Sequence, residues 1–155
     1  MLYVRDTFTC REITLPANIA FDCVGVEITL SEEMSLTMIC LYRQPTAKVD
    51  FYDQVKLLLN SCDSNKELII IGDFNINWND KQNRKSLKRI TDKHNLTQLV
   101  DQPTRITKTS KTMIDLLFTN KADRIVKTYN FLTGLSDHNL VLFARKLTKK
   151  AHCQS

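Results

Sequence analysis

The sequence predicts an α/β or α+β protein built around a β-sheet, and three stretches carry that prediction. Residues 23–30, CVGVEITL, alternate strictly between apolar and other side chains, which is typical of a half-buried strand. The run 68–71, LIII, is uniformly apolar and is closed by a glycine, as a buried strand often is. Residues 47–61 place apolar side chains at helical spacing. Mixed strands and helices of this kind predict a sheet with helices packed on it.

The other elements follow along the chain. Two short strands are expected at 2–6 and 8–13, and a strand at 35–42 forms a hairpin with 23–30. Pro45 and Thr46 are expected to open the helix at 47–61, and a second helix is expected at 85–94. The remaining strands are predicted at 112–120, 124–131 and 139–147.

Length and composition indicate one intracellular domain. The chain has 155 residues, with the domain expected over 1–147 and a flexible tail over 148–155. Its five cysteines are odd in number and lack a CxxC pair, which favours reduced thiols over a disulfide frame or a zinc site. The apolar runs are far shorter than the roughly 20 residues of a membrane helix, so no membrane partner is expected.

Charge is distributed unevenly along the chain. Residues 1–75 hold 6 basic and 11 acidic residues, whereas residues 76–155 hold 16 basic and 6 acidic ones. The basic residues concentrate at 81–89, 105–111 and 121–127. Such clusters are either solvated surface or the footprint of a phosphate backbone, and three in one half of the chain favour a nucleic-acid partner.

Polar residues at strand ends are the candidate chemistry. Asp73 and Asn75 follow the strand at 68–71, where they form either an ordinary turn or part of a site. Asp115 lies within the apolar strand at 112–120 and requires a hydrogen-bond donor, either an imidazole or loop backbone N–H groups. Asp137 and His138 precede the last strand and offer such an imidazole.

Taken in order, GDFN (72–75), IDLLFTN (114–120) and SDH (136–138) resemble the endonuclease/exonuclease/phosphatase superfamily. More narrowly, the chain resembles the apurinic-endonuclease-like domain of LINE-type, non-LTR retrotransposons. LYRQPT (41–46) and QLVDQPTRIT (98–107) support this resemblance, which covers about residues 2–145.

The resemblance implies a partial four-layer α/β sandwich of the DNase I-like kind, with two packed mixed β-sheets flanked by helices. It also implies a Mg²⁺-dependent (or Mn²⁺-dependent) phosphodiesterase that acts on DNA, beside a reverse transcriptase domain of the same polyprotein and in the nucleus. Phosphodiester hydrolysis needs an aimed water and neutralised phosphate oxygens, which carboxylates and a divalent cation supply.

The implied roles can be assigned residue by residue. Asp73 corresponds to the carboxylate that orients or deprotonates the attacking water and helps to bind the metal. Asn75 corresponds to the amide that holds the scissile phosphate and takes part in the metal site. Asp115 corresponds to the residue that orients the catalytic imidazole. The resemblance makes His138 that imidazole, also placed in the metal group, while Asp137 corresponds to the metal-side carboxylate and Tyr42 to a tyrosine that contacts the phosphate.

The pattern is incomplete at one point. Relatives carry an Asn on their first strand and a metal-binding Glu on a strand upstream of the region matched here, and neither has a counterpart in this sequence. We therefore expect an N-terminally truncated domain that holds metal weakly and cleaves DNA feebly. The alternatives are a catalytically dead nucleic-acid-binding fragment and a phosphatase of the same superfamily.

Overall fold

The computed structural model describes residues 1–47 and 50–146, which form ten strands, two α-helices and a short 3-10 helix. The strands are β1 Cys10–Glu12, β2 Asp22–Ser31, β3 Met34–Tyr42, β4 Glu67–Asp73, β5 Thr97–Gln98, β6 Arg105–Ile106, β7 Lys111–Thr112, β8 Asp115–Thr119, β9 Ile125–Phe131 and β10 Leu140–Arg145. The helices are α1 Phe51–Ser61 and α2 Lys81–Lys93, and the 3-10 helix covers Ala122–Arg124.

Six strands form one mixed sheet in the order β1-β2-β3-β4-β8-β5. β3 and β4 run parallel, with α1 as the crossover between them, and β8 lies antiparallel to β4. The ends of β3 and β4 at Tyr42 and Asp73 therefore lie beside the start of β8 at Asp115. We call this end of the sheet the polar edge, and the opposite end, where β4 begins at Glu67 and β8 ends at Thr119, the far edge.

Both helices bury one side in the core. The apolar side of α1 contributes Phe51, Val55, Leu58 and Leu59, and that of α2 contributes Leu87 and Ile90. These side chains join buried residues of β3, β4 and β8 in one hydrophobic cluster. The fold is therefore a mixed α/β arrangement of a six-stranded sheet and two helices. The other strands pair as the small sheets β6–β7 and β9–β10.

A buried ion pair fastens the last strand to the far edge. Glu67 is 5% exposed, and its carboxylate accepts from Nε and Nη2 of Arg145 at 2.7 and 2.6 Å. Arg124 approaches the same carboxylate at 3.4 Å. This bidentate geometry satisfies the buried charge and ties β10 and the 3-10 helix to the start of β4.

The expected strand at 2–6 is wrong, because residues 1–5 have no strand partner in the described structure. Tyr3 is 86% exposed, so the alternating pattern there buries nothing. A strand gains stability only through pairing and packing, which the local pattern does not reveal. The strand expected at 8–13 is shortened to β1, which pairs with β2.

The strand expected at 112–120 is interrupted. β7 ends at Thr112 and β8 begins at Asp115. Between them, the Met113 N–H donates to Oδ1 of Asn77 and the Ile114 N–H donates to Oγ1 of Thr104. Two side chains thus take the place of ladder partners, and Asp115 stands at the start of a strand rather than inside one.

Both helix starts also differ from the expectation. α2 begins at Lys81, four residues before the expected Lys85, because Asp80 accepts from the N–H groups of Gln82 and Asn83 as an N-cap. α1 begins at Phe51, while residues 48 and 49 of the expected 47–61 helix lie outside the described residues. The tail expected at 148–155 lies outside them as well.

Candidate functional site

Three predicted site residues lie side by side at the polar edge. Asp73 of β4 pairs in register with Tyr42 of β3 on one side and with Asp115 of β8 on the other. Tyr42 is 42% exposed, and the side chain of Asp115 is 20% exposed. Three polar side chains from strands far apart in sequence therefore line one open edge.

The chain leaves β4 through a tight turn that positions Asn75. A side chain at Gly72 would collide with the carbonyl oxygen of Leu41, so glycine is required where β4 passes β3. Asn75 has a positive φ of 46°, a conformation that asparagine tolerates. Its N–H donates to Oδ1 of Asp73 at 2.8 Å, and its Nδ2 donates to Oδ2 of Asp73 at 3.2 Å.

Arg43 supports this turn from behind. Its carbonyl oxygen accepts from Nδ2 of Asn75 at 2.7 Å, which fixes the orientation of the amide. Its guanidinium donates to the carbonyl oxygens of Asn75 and Ala47 and lies 5.1 Å from the centre of the Phe51 ring. Because Nδ2 of Asn75 is engaged with Asp73 and Arg43, the amide presents Oδ1 to an incoming group.

Asp115 and His138 form the expected pair. Nδ1 of His138 lies 3.0 Å from Oδ2 and 3.2 Å from Oδ1 of Asp115, although 23 residues separate them in sequence. A carboxylate accepts only, so the bond places a proton on Nδ1. The side chain of His138 is 33% exposed, and the ring can meet a ligand from solvent.

Thr104 holds both members of the pair in place. It is fully buried, and its Oγ1 accepts from the N–H groups of Ile114 and Asp115 at 3.2 and 2.9 Å. Its carbonyl oxygen accepts from the N–H of Asn139 at 2.7 Å. One residue therefore fixes the start of β8 and the loop that carries His138.

Two carboxylates crowd the site. Burial raises the pKa of Asp73 above its ordinary value, and the nearby Asp115 carboxylate raises it further. The hydrogen bond from the Asn75 N–H and the charge of His138 act in the opposite direction and lower that pKa. Ligand atoms of Asp73, Asp115 and His138 lie within 4.8 Å of one another. This group of two carboxylates and an imidazole could hold a divalent cation, which would relieve the repulsion between the acids.

Asp137 stands apart from that group. Its Oδ2 accepts from Nε of Arg105 at 2.7 Å, and this bond lowers the pKa of Asp137 below its ordinary value. Arg105 also forms a β-bridge with His138. The structure thus brings Tyr42, Asp73, Asn75, Asp115 and His138 to one edge and adds Asp137 beside them through Arg105. The roles assigned to all six stay predictions.

The three basic clusters do not form one stripe. Residues 105–111 form the β6–β7 hairpin beside Asp137, at the polar edge. Residues 81–89 lie along α2, which leaves the polar edge after the 74–80 turn. Residues 121–127 follow the end of β8 and therefore lie at the far edge. In the last cluster, Arg124 is ion-paired with Glu67.

Sequence reasoning gave no role to Thr104 or Arg43 and treated Arg105 only as part of a basic cluster, although each lies within a quoted motif. The bonds of Thr104 reach residues 10 and 11 positions away, and Arg105 reaches Asp137, 32 positions away. Local periodicity carries no signal for such contacts. Only the position of Arg43 next to Tyr42 pointed to the site.

The sequence profile described as "Endonuclease-reverse transcriptase" matches residues 36–142. No curated protein sequence matches the chain at the significance required.

Solved structures share the fold. The chain is similar to the endonuclease domain of TRAS1, a telomere-specific non-LTR retrotransposon, with 20% identity and a TM-score of 0.78 over 94% of this chain and 72% of that one. An endonuclease/exonuclease/phosphatase family protein from Leptotrichia buccalis matches 80% of this chain and 53% of its own, with 18% identity and a TM-score of 0.62. The inositol polyphosphate 5-phosphatase domain of SPsynaptojanin, in complex with inositol (1,4)-bisphosphate and calcium, matches 86% and 53%, with 13% identity and a TM-score of 0.55.

Proposed function

Because the chain belongs to the endonuclease–reverse transcriptase family of the endonuclease/exonuclease/phosphatase superfamily, we propose that its polar edge hydrolyses phosphodiester bonds of DNA with a divalent cation. The observation that carries this proposal is the Asp115–His138 pair, which lies within 4.8 Å of the Asp73 carboxylate at one open edge. General acid–base chemistry requires such groups within reach of one reacting atom.

The three side chains take complementary roles in this reaction. Asp73, whose raised pKa makes it a stronger base than a solvated carboxylate, orients the attacking water and accepts its proton. Asp115 holds the proton on Nδ1 of His138 and stabilises the positively charged ring. The Nε2–H of that ring then donates to a non-bridging phosphate oxygen, where negative charge increases in the transition state. As the water oxygen bonds to phosphorus, the bond from phosphorus to the leaving sugar oxygen breaks, and that oxygen takes a proton from solvent.

Tyr42 contacts the phosphate in this proposal, and Asn75, whose free Oδ1 can only accept, contributes that oxygen to the metal group or to an ordered water. The amide of Asn75 is fixed by Asp73 and Arg43, and Tyr42 stands next to Asp73 with much of its side chain exposed. Groups that are already ordered stabilise developing charge without reorganisation during the reaction. Asp137 has two alternative roles in this proposal. It orients Arg105 beside the imidazole, or its carboxylate contributes to the metal group.

The donor set fits a hard divalent cation. Asp73 and Asp115 supply carboxylate oxygens, which suit both Mg²⁺ and Mn²⁺, while the two ring N–H groups of His138 are used by Asp115 and the phosphate. When bound, the ion neutralises charge on the phosphate oxygens.

The family description also supports a reverse transcriptase as a partner. We propose that the domain acts beside a reverse transcriptase on the same polyprotein, on genomic DNA in the nucleus. None of the described helices is long and apolar enough to cross a membrane. We also propose that the β9–β10 sheet belongs to a second, larger sheet. The two large sheets would pack together in a four-layer sandwich.

A nicking assay on supercoiled plasmid tests the proposal. Relaxed circles should appear with Mg²⁺ or Mn²⁺ and disappear with EDTA, and the Asp115→Asn variant should lose most of this activity. Binding to the plasmid without nicking in any divalent cation would contradict the proposal and favour a nucleic-acid-binding fragment. Release of phosphate from inositol polyphosphates, without nicking, would instead favour a phosphatase.

A further inference from the structure

A groove runs between the two helices toward the far edge. It has a volume of about 410 Å³ and is lined by Lys56, Asn60, Arg89, Ile90, Lys93 and His94. This lining combines cationic and amide groups with one apolar residue and includes no carboxylate. The groove belongs to residues that play no part in the polar edge.

A second depression of about 420 Å³ continues the groove around the end of the sheet. It shares Asn60, Lys93 and His94 with the first and adds Lys121 and two asparagines. Its one carboxylate, Asp63, accepts from the backbone N–H of Asn65 at 2.9 Å. The structure thus joins cationic residues of α2 to Lys121, which lies 28 positions beyond Lys93 in the chain.

The cations of this far-edge groove are weakly compensated. Among the lining cations Lys56 pairs with Asp53, and outside the groove Lys88 pairs with Asp92. Within residues 1–47 and 50–146, no carboxylate lies at ion-pair distance from Arg89, Lys93 or Lys121. Burial, and then the neighbouring Lys93 ammonium, hold the pKa of His94 below its ordinary value.

We propose that the far-edge groove binds the phosphodiester backbone of a nucleic acid, apart from the polar edge. Lysine, arginine and asparagine side chains are common partners of backbone phosphates. Arg89 and Lys93 are four residues apart on α2 and therefore project from one face of the helix. Asn60 and Asn95 add neutral donors beside them.

The position of the groove makes it a holding surface rather than part of the reaction. β4 spans seven residues, so roughly 20 Å separates the far edge from the polar edge. The phosphates bound in the groove are therefore beyond the reach of Asp73 and His138. The proposal does not depend on cleavage at the polar edge, because binding in the groove uses none of those residues.

Binding measurements on the whole 155-residue chain test the groove. The variant Arg89→Gln/Lys93→Gln removes two cations from the groove, and the matched control Arg5→Gln/Arg11→Gln removes two exposed cations that lie outside the groove and outside the three basic clusters. Both variants carry the same net charge, and glutamine is a good helix former. The probes are a 20-mer DNA duplex and a 20-mer single-stranded RNA, followed by fluorescence anisotropy between 50 and 200 mM salt.

We expect the groove variant to bind about tenfold more weakly at the lowest salt, with a salt slope lower by about 1.8 for two lost phosphate contacts on duplex DNA. The control should lose less than about twofold, since its cations lie outside the groove. Loss with the duplex identifies DNA as the ligand, and loss with the RNA alone identifies RNA. Circular dichroism spectra of the two variants should match.

Three results would overturn the inference. Equal losses in both variants would assign binding to net charge, and unchanged binding in the groove variant would exclude the groove. Polyglutamate that competes as well as the oligonucleotides would show that the surface accepts any polyanion. If the parent chain does not nick plasmid, the proposed function is wrong, but the binding results still test the groove. Failure of the proposed function and failure of the groove proposal are therefore distinguishable.

Discussion

The two ends of strand β4 carry carboxylates in opposite electrostatic situations. Glu67 begins the strand, is almost fully buried, and is satisfied by the bidentate contact of Arg145 with Arg124 nearby. Asp73 ends the strand, has a raised pKa, and faces a second carboxylate, Asp115. The guanidinium of Arg105 beside this site is bonded to Asp137 instead.

The difference separates a structural acid from a candidate functional one. A buried charge whose partners fill its hydrogen-bonding positions stabilises the arrangement around it and has nothing left to bind a ligand. A carboxylate that is half-buried and crowded by another acid is held in an unfavourable state, which a cation or a proton relieves. Such strained titratable groups collect at sites of chemistry.

The largest expected effect is catalytic and belongs to the polar edge. The His138→Ala variant should nick plasmid about 10²- to 10⁴-fold more slowly than the parent, because the donor to the phosphate oxygens is lost. Nicking is measured by gel densitometry under saturating Mg²⁺. DNA affinity should remain within about twofold of the parent, and an equally large loss of affinity would contradict a role in the reaction itself.

The next prediction compares the two acids of β4 directly through stability. Glu67→Gln should lower the free energy of unfolding by about 3–5 kcal/mol, because it leaves Arg145 buried without its counter-charge. Asp73→Asn should change it by less than about 1 kcal/mol, since one lost hydrogen bond is offset by relief of repulsion from Asp115. Urea denaturation at pH 7 measures both. Similar losses in the two variants would remove the distinction drawn between the ends of the strand.

Thr104 tests how the polar edge is held together. Thr104→Val keeps the shape of the side chain but leaves the N–H groups of Ile114 and Asp115 without their acceptor. We expect a loss of about 1–3 kcal/mol in the free energy of unfolding. Thr104→Ser retains the hydroxyl and should recover most of that loss. Equal destabilisation by valine and serine would show that packing, rather than the hydroxyl, matters at this position.

The smallest effect concerns pH and a second satisfied acid near the far edge. Hydrogen bonds from Lys66, and then from Ser35 and Arg11, hold the pKa of Glu27 down at about 2. A carboxylate with a lowered folded-state pKa contributes stability above its unfolded-state value, and that stability is lost as the pH falls from about 4.3 towards 2. Urea midpoints between pH 5 and 2.5 should therefore fall less steeply for Glu27→Gln than for the parent. Parallel curves would contradict the assignment.

Much of the fold followed from local pattern. The hairpin of β2 and β3, the buried strand β4 and both helices were predicted because their apolar spacing matches the period of each element. The prediction of a strand at 2–6 was wrong, because an alternating apolar pattern does not by itself supply a partner strand. The break at Met113 and Ile114 also escaped prediction, because Asn77 and Thr104 take over their N–H groups.

The sequence by itself determined which residue types stand at the strand ends, and the pairing of Asp115 with His138 was expected from their order and from the resemblance. Tertiary structure alone decided which charges are compensated: Glu67 by Arg145, Asp137 by Arg105, and neither Arg89 nor Lys93 by any described carboxylate. It also divided three basic clusters between two edges of one sheet. The physical reason is that strand register brings together side chains 30 to 80 positions apart, and electrostatic energy depends on those distances in space rather than on order along the chain.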